Sequence, residues 1–162
     1  MLKLLLIAIL LVAATVVIHA VGTSYWMRHL TRYYADADGH FKPRRALPAV
    51  IWTAVVLMML HVVEVVLWAT AYRLLPGNDL DSFEKATYFS MVTFTTLGYG
   101  GITLGPKWRL LSSIQAMNGI LLFGWTTALM FSILQRTWIL SHRDGSRPRS
   151  RVCKEEHRQG AR

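Results

Sequence analysis

The chain has 162 residues, of which 53% are hydrophobic and only 17% charged, against about 25% charged in an ordinary soluble domain. Its single cysteine, Cys153, excludes an internal disulfide framework and a multi-thiolate metal site. The net charge of +9 does not make a nucleic-acid-binding face. The charges lie between and after long apolar runs, which is the arrangement of a membrane protein.

Three such runs follow in order. Leu4 to Val21 is interrupted only by Thr15 and His19, Leu47 to Leu75 carries His61 and Glu64, and Leu110 to Leu140 is diluted by Ser, Gln, Asn and Thr. Each reaches the roughly 20 residues that cross a bilayer core as a helix. The expected organisation is an N-terminal transmembrane helix over 1–23, a basic loop over 24–46, a second membrane domain over 47–140 that holds the other two runs, and a basic tail over 141–162. The tail lacks apolar periodicity and is read as disordered. Lys3 and the sequence Ile18-His19-Ala20 give the first run some likeness to a signal peptide. Retention is expected, because cleavage would leave the basic loop outside. His19, near the end of this helix, reads as an interfacial residue, and Tyr25 and Trp26 as an aromatic belt.

Between the second and third runs, Pro76-Gly77-Asn78-Asp79 marks a turn. Asp81 or Ser82 can cap a short helix, expected over 82–95. At about 13 residues it is too short to span, so it reads as re-entrant. It leads into Thr95-Thr96-Leu97-Gly98-Tyr99-Gly100-Gly101, where the glycines end any helix. Irregular backbone at membrane depth is tolerated only when buried in protein or lining water. Gly98 and Gly100 can take positive φ, and alternating them with Thr96, Leu97 and Tyr99 can turn successive carbonyls to one side. Four copies around an axis would stack rings of oxygen able to replace the hydration shell of a potassium ion. One copy cannot, so the chemistry asks for a homotetramer.

The basic residues Arg28, Arg32, Lys42, Arg44 and Arg45 in 24–46, and the arginines of the tail, outweigh those of 76–109. The positive-inside rule then places the loop and the C-terminus in the cytoplasm and the N-terminus outside. Both basic segments are candidate contacts for anionic lipid.

The run Tyr88 to Gly100 resembles the potassium channels, whose signature is Thr-Val-Gly-Tyr-Gly between an outer and an inner helix. Trp108-Arg109 at the start of the inner helix, Gly119 at the family's hinge position and Phe123-Gly124 extend the resemblance over about Pro48 to Leu140. It implies an all-α membrane fold: three transmembrane helices with outer helix 47–75, pore helix 82–95, filter 96–100 and inner helix 109–140. It further implies that Thr96, Leu97, Gly98 and Tyr99, with Gly100, hold potassium through their carbonyls, that the Thr96 hydroxyl adds the innermost ring, and that the Tyr99 ring packs the filter from outside. Gly119, Ile120, Phe123 and Thr127 would serve the cavity or gate, Gly119 as bending point or packing residue, and Gly124 as packing residue. No cofactor is implied beyond the permeant ion, and a passive channel in the cell membrane is not an enzyme.

One departure stands out. The family usually follows Gly-Tyr-Gly with Asp, which a pore-helix Glu clamps in some bacterial members; here Gly101 and Val92 stand there, which makes a weakly selective cation channel the alternative. His61 and Glu64 share a helix face at i, i+3, and an ionisable residue in a span is a functional candidate. Glu64 lies roughly 16 Å below the outer end of its helix, level with Thr93 and Thr95. The pair reads first as a buried hydrogen-bonded pair that locks helices together and second as a proton-sensitive brace behind the filter; two ligands are too few for a closed metal site. Gln115 and Asn118 are candidate partners. A membrane enzyme built on His61 and Glu64 is the reading from another class, and it lacks a third ligand or a nucleophile.

Overall fold

The computed structural model describes residues 2–34, 43–76 and 80–144, with side chains placed over 2–33, 47–76 and 80–136. Its described residues form four helices: α1 (Leu2–Tyr34), α2 (Pro43–Leu74), α3 (Phe83–Phe94) and α4 (Arg109–Asp144). Three are long and apolar enough to cross a membrane, over Leu2–Tyr33, Leu47–Leu74 and Arg109–Arg136.

Packing fixes the directions. At one end Leu4 and Ala8 of α1 meet Trp68 and Tyr72 of α2 and Leu111 of α4. At the other, Leu30 meets Ala49 and Ile133. Helices α1 and α4 therefore run parallel, and α2 runs against both. Helix α3 enters from the first end, with Ala86 and Phe89 in that end's core, and stops in the middle, where Phe94 joins Val65 and Leu122. Its 12 residues span about 18 Å, roughly half of a hydrocarbon core near 30 Å. It is a half-membrane helix. Gly22 lets α1 approach α2 closely, since a Cβ there would stand 2.5 Å from a methyl of Leu60.

Helix α1 does not end at 23 as expected. It runs to Tyr34, because no Gly or Pro stands between Thr23 and Tyr34 and because the extra turns have partners. Trp26 donates its indole N–H to the Thr53 hydroxyl at 2.9 Å, and Leu30 is fully buried. The expected loop 24–46 thus narrows, since α2 already begins at Pro43. Helix α4 continues past 140 to Asp144. Residues 35–42, the turn 77–79 and the tail 145–162 with Cys153 lie outside the described residues.

Candidate functional site

The pore-helix expectation has a local cause. Ser82 is the N-cap, with its side chain accepting from the Lys85 amide, and Thr95 is the C-cap. At the exposed N-terminus the Lys85 ammonium bonds Asp81 at 2.8 Å and holds that carboxyl below its ordinary range. At the other end the Val92 carbonyl accepts two amides, from Leu97 at 3.0 Å and Gly98 at 3.3 Å. Val92 therefore ties down the following loop through its backbone.

That loop alternates. Thr96 has φ of 60°, Gly98 of 55° and Gly100 of 76°. Positive φ is easy for glycine and strained for a β-branched residue, so Thr96 is held there by its surroundings, the pattern of strain that gathers at functional sites. Left-handed residues at every second position can turn successive carbonyls to one side. The side chains do not pack within the chain: Leu97 is 55% and Tyr99 70% exposed.

The pore helix is held by a buried polar network that sequence reasoning did not assemble. The Ser90 hydroxyl donates to the Val65 carbonyl at 2.8 Å and accepts from the Gln115 amide at 2.8 Å. Tyr72 donates to the Gln115 side-chain carbonyl at 2.7 Å. The signal available was polar residues on otherwise apolar helices. Gln115 was considered as a partner for Glu64; it serves Ser90 and Tyr72 instead. Asn118 also turns elsewhere, donating to Thr15 at 2.8 Å.

Glu64 does not bond the pore-helix hydroxyls, as its depth suggested. Its two oxygens face Nδ1 of His19 at 2.8 Å and Nδ1 of His61 at 2.9 Å. The Thr95 hydroxyl is occupied by the Met91 and Val92 carbonyls. The brace to the pore helix runs instead through the neighbouring Val65 carbonyl, with a ring contact from His61 to Phe94 at 5.8 Å. His19 is not interfacial: it is fully buried, as is Glu64. Thr126 of α4 completes the group, 3.0 Å from Nε2 of His61 and 3.4 Å from Nε2 of His19.

On α4, a Cβ at Gly119 would lie 2.1 Å from the Phe94 carbonyl oxygen. Gly119 is thus the place where the inner helix meets the end of the pore helix. Gly124 meets nothing within 4 Å in the chain, so no packing partner for it lies among the described residues. Phe123 packs on His61 at 4.7 Å and Phe94 at 5.4 Å. Ile120 is 62% exposed, and the Thr127 hydroxyl bonds back to the Phe123 carbonyl.

Residues 60–136 match the sequence profile of a family described as ion channel. This part of the chain, 77 of the 162 residues, is similar to that family. No curated protein and no solved structure matches the chain. The matched region contains α3, the alternating loop, the Ser90–Gln115 network, and His61, Glu64 and Thr126. His19 lies outside it, on α1. The family points to a channel and away from an enzyme.

Proposed function

We propose that the chain is one subunit of a homotetrameric channel that conducts potassium passively down its electrochemical gradient. The observation that carries this is the alternation of left-handed residues at Thr96, Gly98 and Gly100. It aligns the carbonyls of Thr96, Leu97, Gly98 and Tyr99 so that four chains would stack oxygen rings in place of the ion's hydration shell, with the Thr96 hydroxyl innermost. Gly100 supplies the turn at the mouth. The open side chains of Leu97 and Tyr99 then pack against neighbouring subunits. Gly119, Ile120, Phe123 and Thr127 face the cavity or its hinge.

The cell membrane is the site of action, with the C-terminus cytoplasmic and the N-terminus outside. Arg28 and Arg32, on the last turns of α1, stand where anionic lipid headgroups would meet them. Retention of α1 is supported by the buried pairing of His19 with Glu64, since without His19 the buried carboxylate would keep only His61 as partner and a half-satisfied buried charge is costly. Weak cation selectivity is the second reading, favoured by Gly101 and by Val92, which ties the loop by a carbonyl and offers no carboxylate.

The test is ion flux from liposomes holding the purified chain, with potassium and sodium gradients compared. Potassium flux well above sodium flux is expected. Equal fluxes would favour the weakly selective channel, and no flux of either ion would overturn the assignment.

A further inference from the structure

His19, His61, Glu64 and Thr126 close a ring of polar contacts across α1, α2 and α4. Each imidazole directs Nδ1 to one Glu64 oxygen, at 2.8 and 2.9 Å, and Nε2 to the Thr126 hydroxyl, at 3.4 and 3.0 Å. The two imidazoles stack with centroids 5.3 Å apart and planes 28° apart, so they stand side by side like two rails between the carboxylate and the hydroxyl.

Proton counting makes this arrangement specific. Four hydrogen bonds need four protons, and Thr126 supplies one. The other three must be shared by Glu64 and the two histidines. An ionised carboxylate with two neutral imidazoles carries only two. The closed ring therefore holds one more. That proton can make one histidine an imidazolium beside a carboxylate, or sit on Glu64 between two neutral histidines of opposite tautomer. Both placements fill all four contacts, and both have zero net charge. Removing the proton leaves a charge of −1 and one contact without its hydrogen. Adding another leaves +1 and a hydroxyl facing two donors. Uncompensated charge is costly in an apolar interior. Aromatic rings pack against the histidines: Phe94 from α3 and Phe123 and Trp125 from α4. Among the described residues the three ring members are the only titratable groups that meet at this site.

The same side chains place nitrogen and oxygen donors within 4.8 Å of one another. Two ligands of one zinc ion, at about 2.1 Å each, stand no more than about 4.2 Å apart. Both Nδ1 atoms instead face a carboxylate oxygen at hydrogen-bond distance, which is the geometry of shared protons.

We propose that this ring is a proton-binding site that fastens α1 to the pore domain, and that loss of its extra proton frees Thr126 on α4 and so couples pH to conduction. Thr126 lies seven positions after Gly119, about 10 Å along the helix, beyond the contact of Gly119 with the Phe94 backbone. The coupling rests on the channel assignment; the proton count does not.

The test uses the full chain in liposomes with isotope-labelled histidine and glutamate, read by solid-state NMR and assigned with H19Q, H61Q and E64Q. At neutral pH, imidazolium and carboxylic acid summed over His19, His61 and Glu64 should equal one per chain, and on raising the pH the signals should change together, as a coupled set does. A sum of zero or two, independent changes, or zinc retained through purification would overturn the site. For the coupling, wild type and T126V are compared by current and by thermal midpoint against pH. Wild-type current should change with pH over the range in which the ring loses its proton. T126V has no hydroxyl for the ring to hold or release, so its current should lose that pH dependence while its thermal midpoint still follows pH. A wild-type current that ignores pH, or a T126V current that keeps the wild-type pH dependence, would overturn the coupling.

Discussion

His19 and Glu64, 45 positions apart in the chain, meet at 2.8 Å where neither side chain is exposed. This contact joins α1, which lies outside the matched region, to the helix that also holds α3. On α2, Glu64 faces α1 while the next residue, Val65, accepts from Ser90 of α3. Two adjacent residues thus link the periphery to the pore.

Removing the carboxylate should be felt as loss of stability. Glu64→Ala leaves two buried histidines without their partner and should cost about 3–5 kcal/mol, read as a lower thermal midpoint in mild detergent. Glu64→Gln keeps one acceptor and one donor and should cost clearly less. Equal stability of Glu64→Ala and wild type would contradict the clamp.

The pore-helix network makes a separate prediction. Ser90→Ala deprives the Val65 carbonyl of its donor and Gln115 of an acceptor, while the Ser90 carbonyl still faces Gln115 at 3.2 Å. The expected cost is about 1–3 kcal/mol, measured by thermal unfolding, and it should add to that of Glu64→Gln if the two links act independently.

Two glycines on α4 should behave in opposite ways. Gly119→Ala forces a methyl to 2.1 Å from backbone oxygen, which no rotamer relieves, so the end of the pore helix must shift and current should fall or vanish. Gly124→Ala meets open space within the chain and should gain about 0.8–1.0 kcal/mol of helix propensity. Thermal midpoints of both variants, with potassium flux beside them, check the contrast.

At Gly98 the obstacle is conformational. Nothing lies within 4 Å of a Cβ there, yet φ is +55°. An alanine would pay roughly 1–2 kcal/mol in each chain. Gly98→Ala is expected to insert and assemble but to lose potassium selectivity or current, as read by flux and by native mass in mild detergent. Normal potassium currents from assembled Gly98→Ala would contradict the filter assignment.

The pore helix's entrance gives a small acid effect. Lys85 lowers the Asp81 carboxyl, so the pair's contribution is present above the ordinary aspartate range and is lost as pH falls through the lowered folded value. Both groups are exposed, so Asp81→Asn should alter acid stability only slightly, measured as thermal midpoint against pH in the acid range.

The pore helix and its loop were legible because their signals are local: a capping serine, a short apolar stretch and glycines at alternate positions. The partner of Glu64 was not. His19 lies on another helix, and a lone histidine near a helix end reads as interfacial until the fold brings it beside a carboxylate. The length of α1 was missed for a different reason. Arg28 and Arg32 suggested a loop, whereas charge ends an apolar run without ending a helix, and no Gly or Pro follows Thr23 before Tyr34. Thr96 carried no sign of its left-handed φ, since a β-branched residue is the last expected there.

The most direct test of the central claim is the reversal potential of the reconstituted channel with potassium on one side and sodium on the other. Selective potassium conduction through the loop from Thr96 to Tyr99 predicts a reversal potential far from zero, with the potassium side negative, collapsing toward zero in Gly98→Ala. A wild-type reversal near zero, at normal conductance, would contradict it.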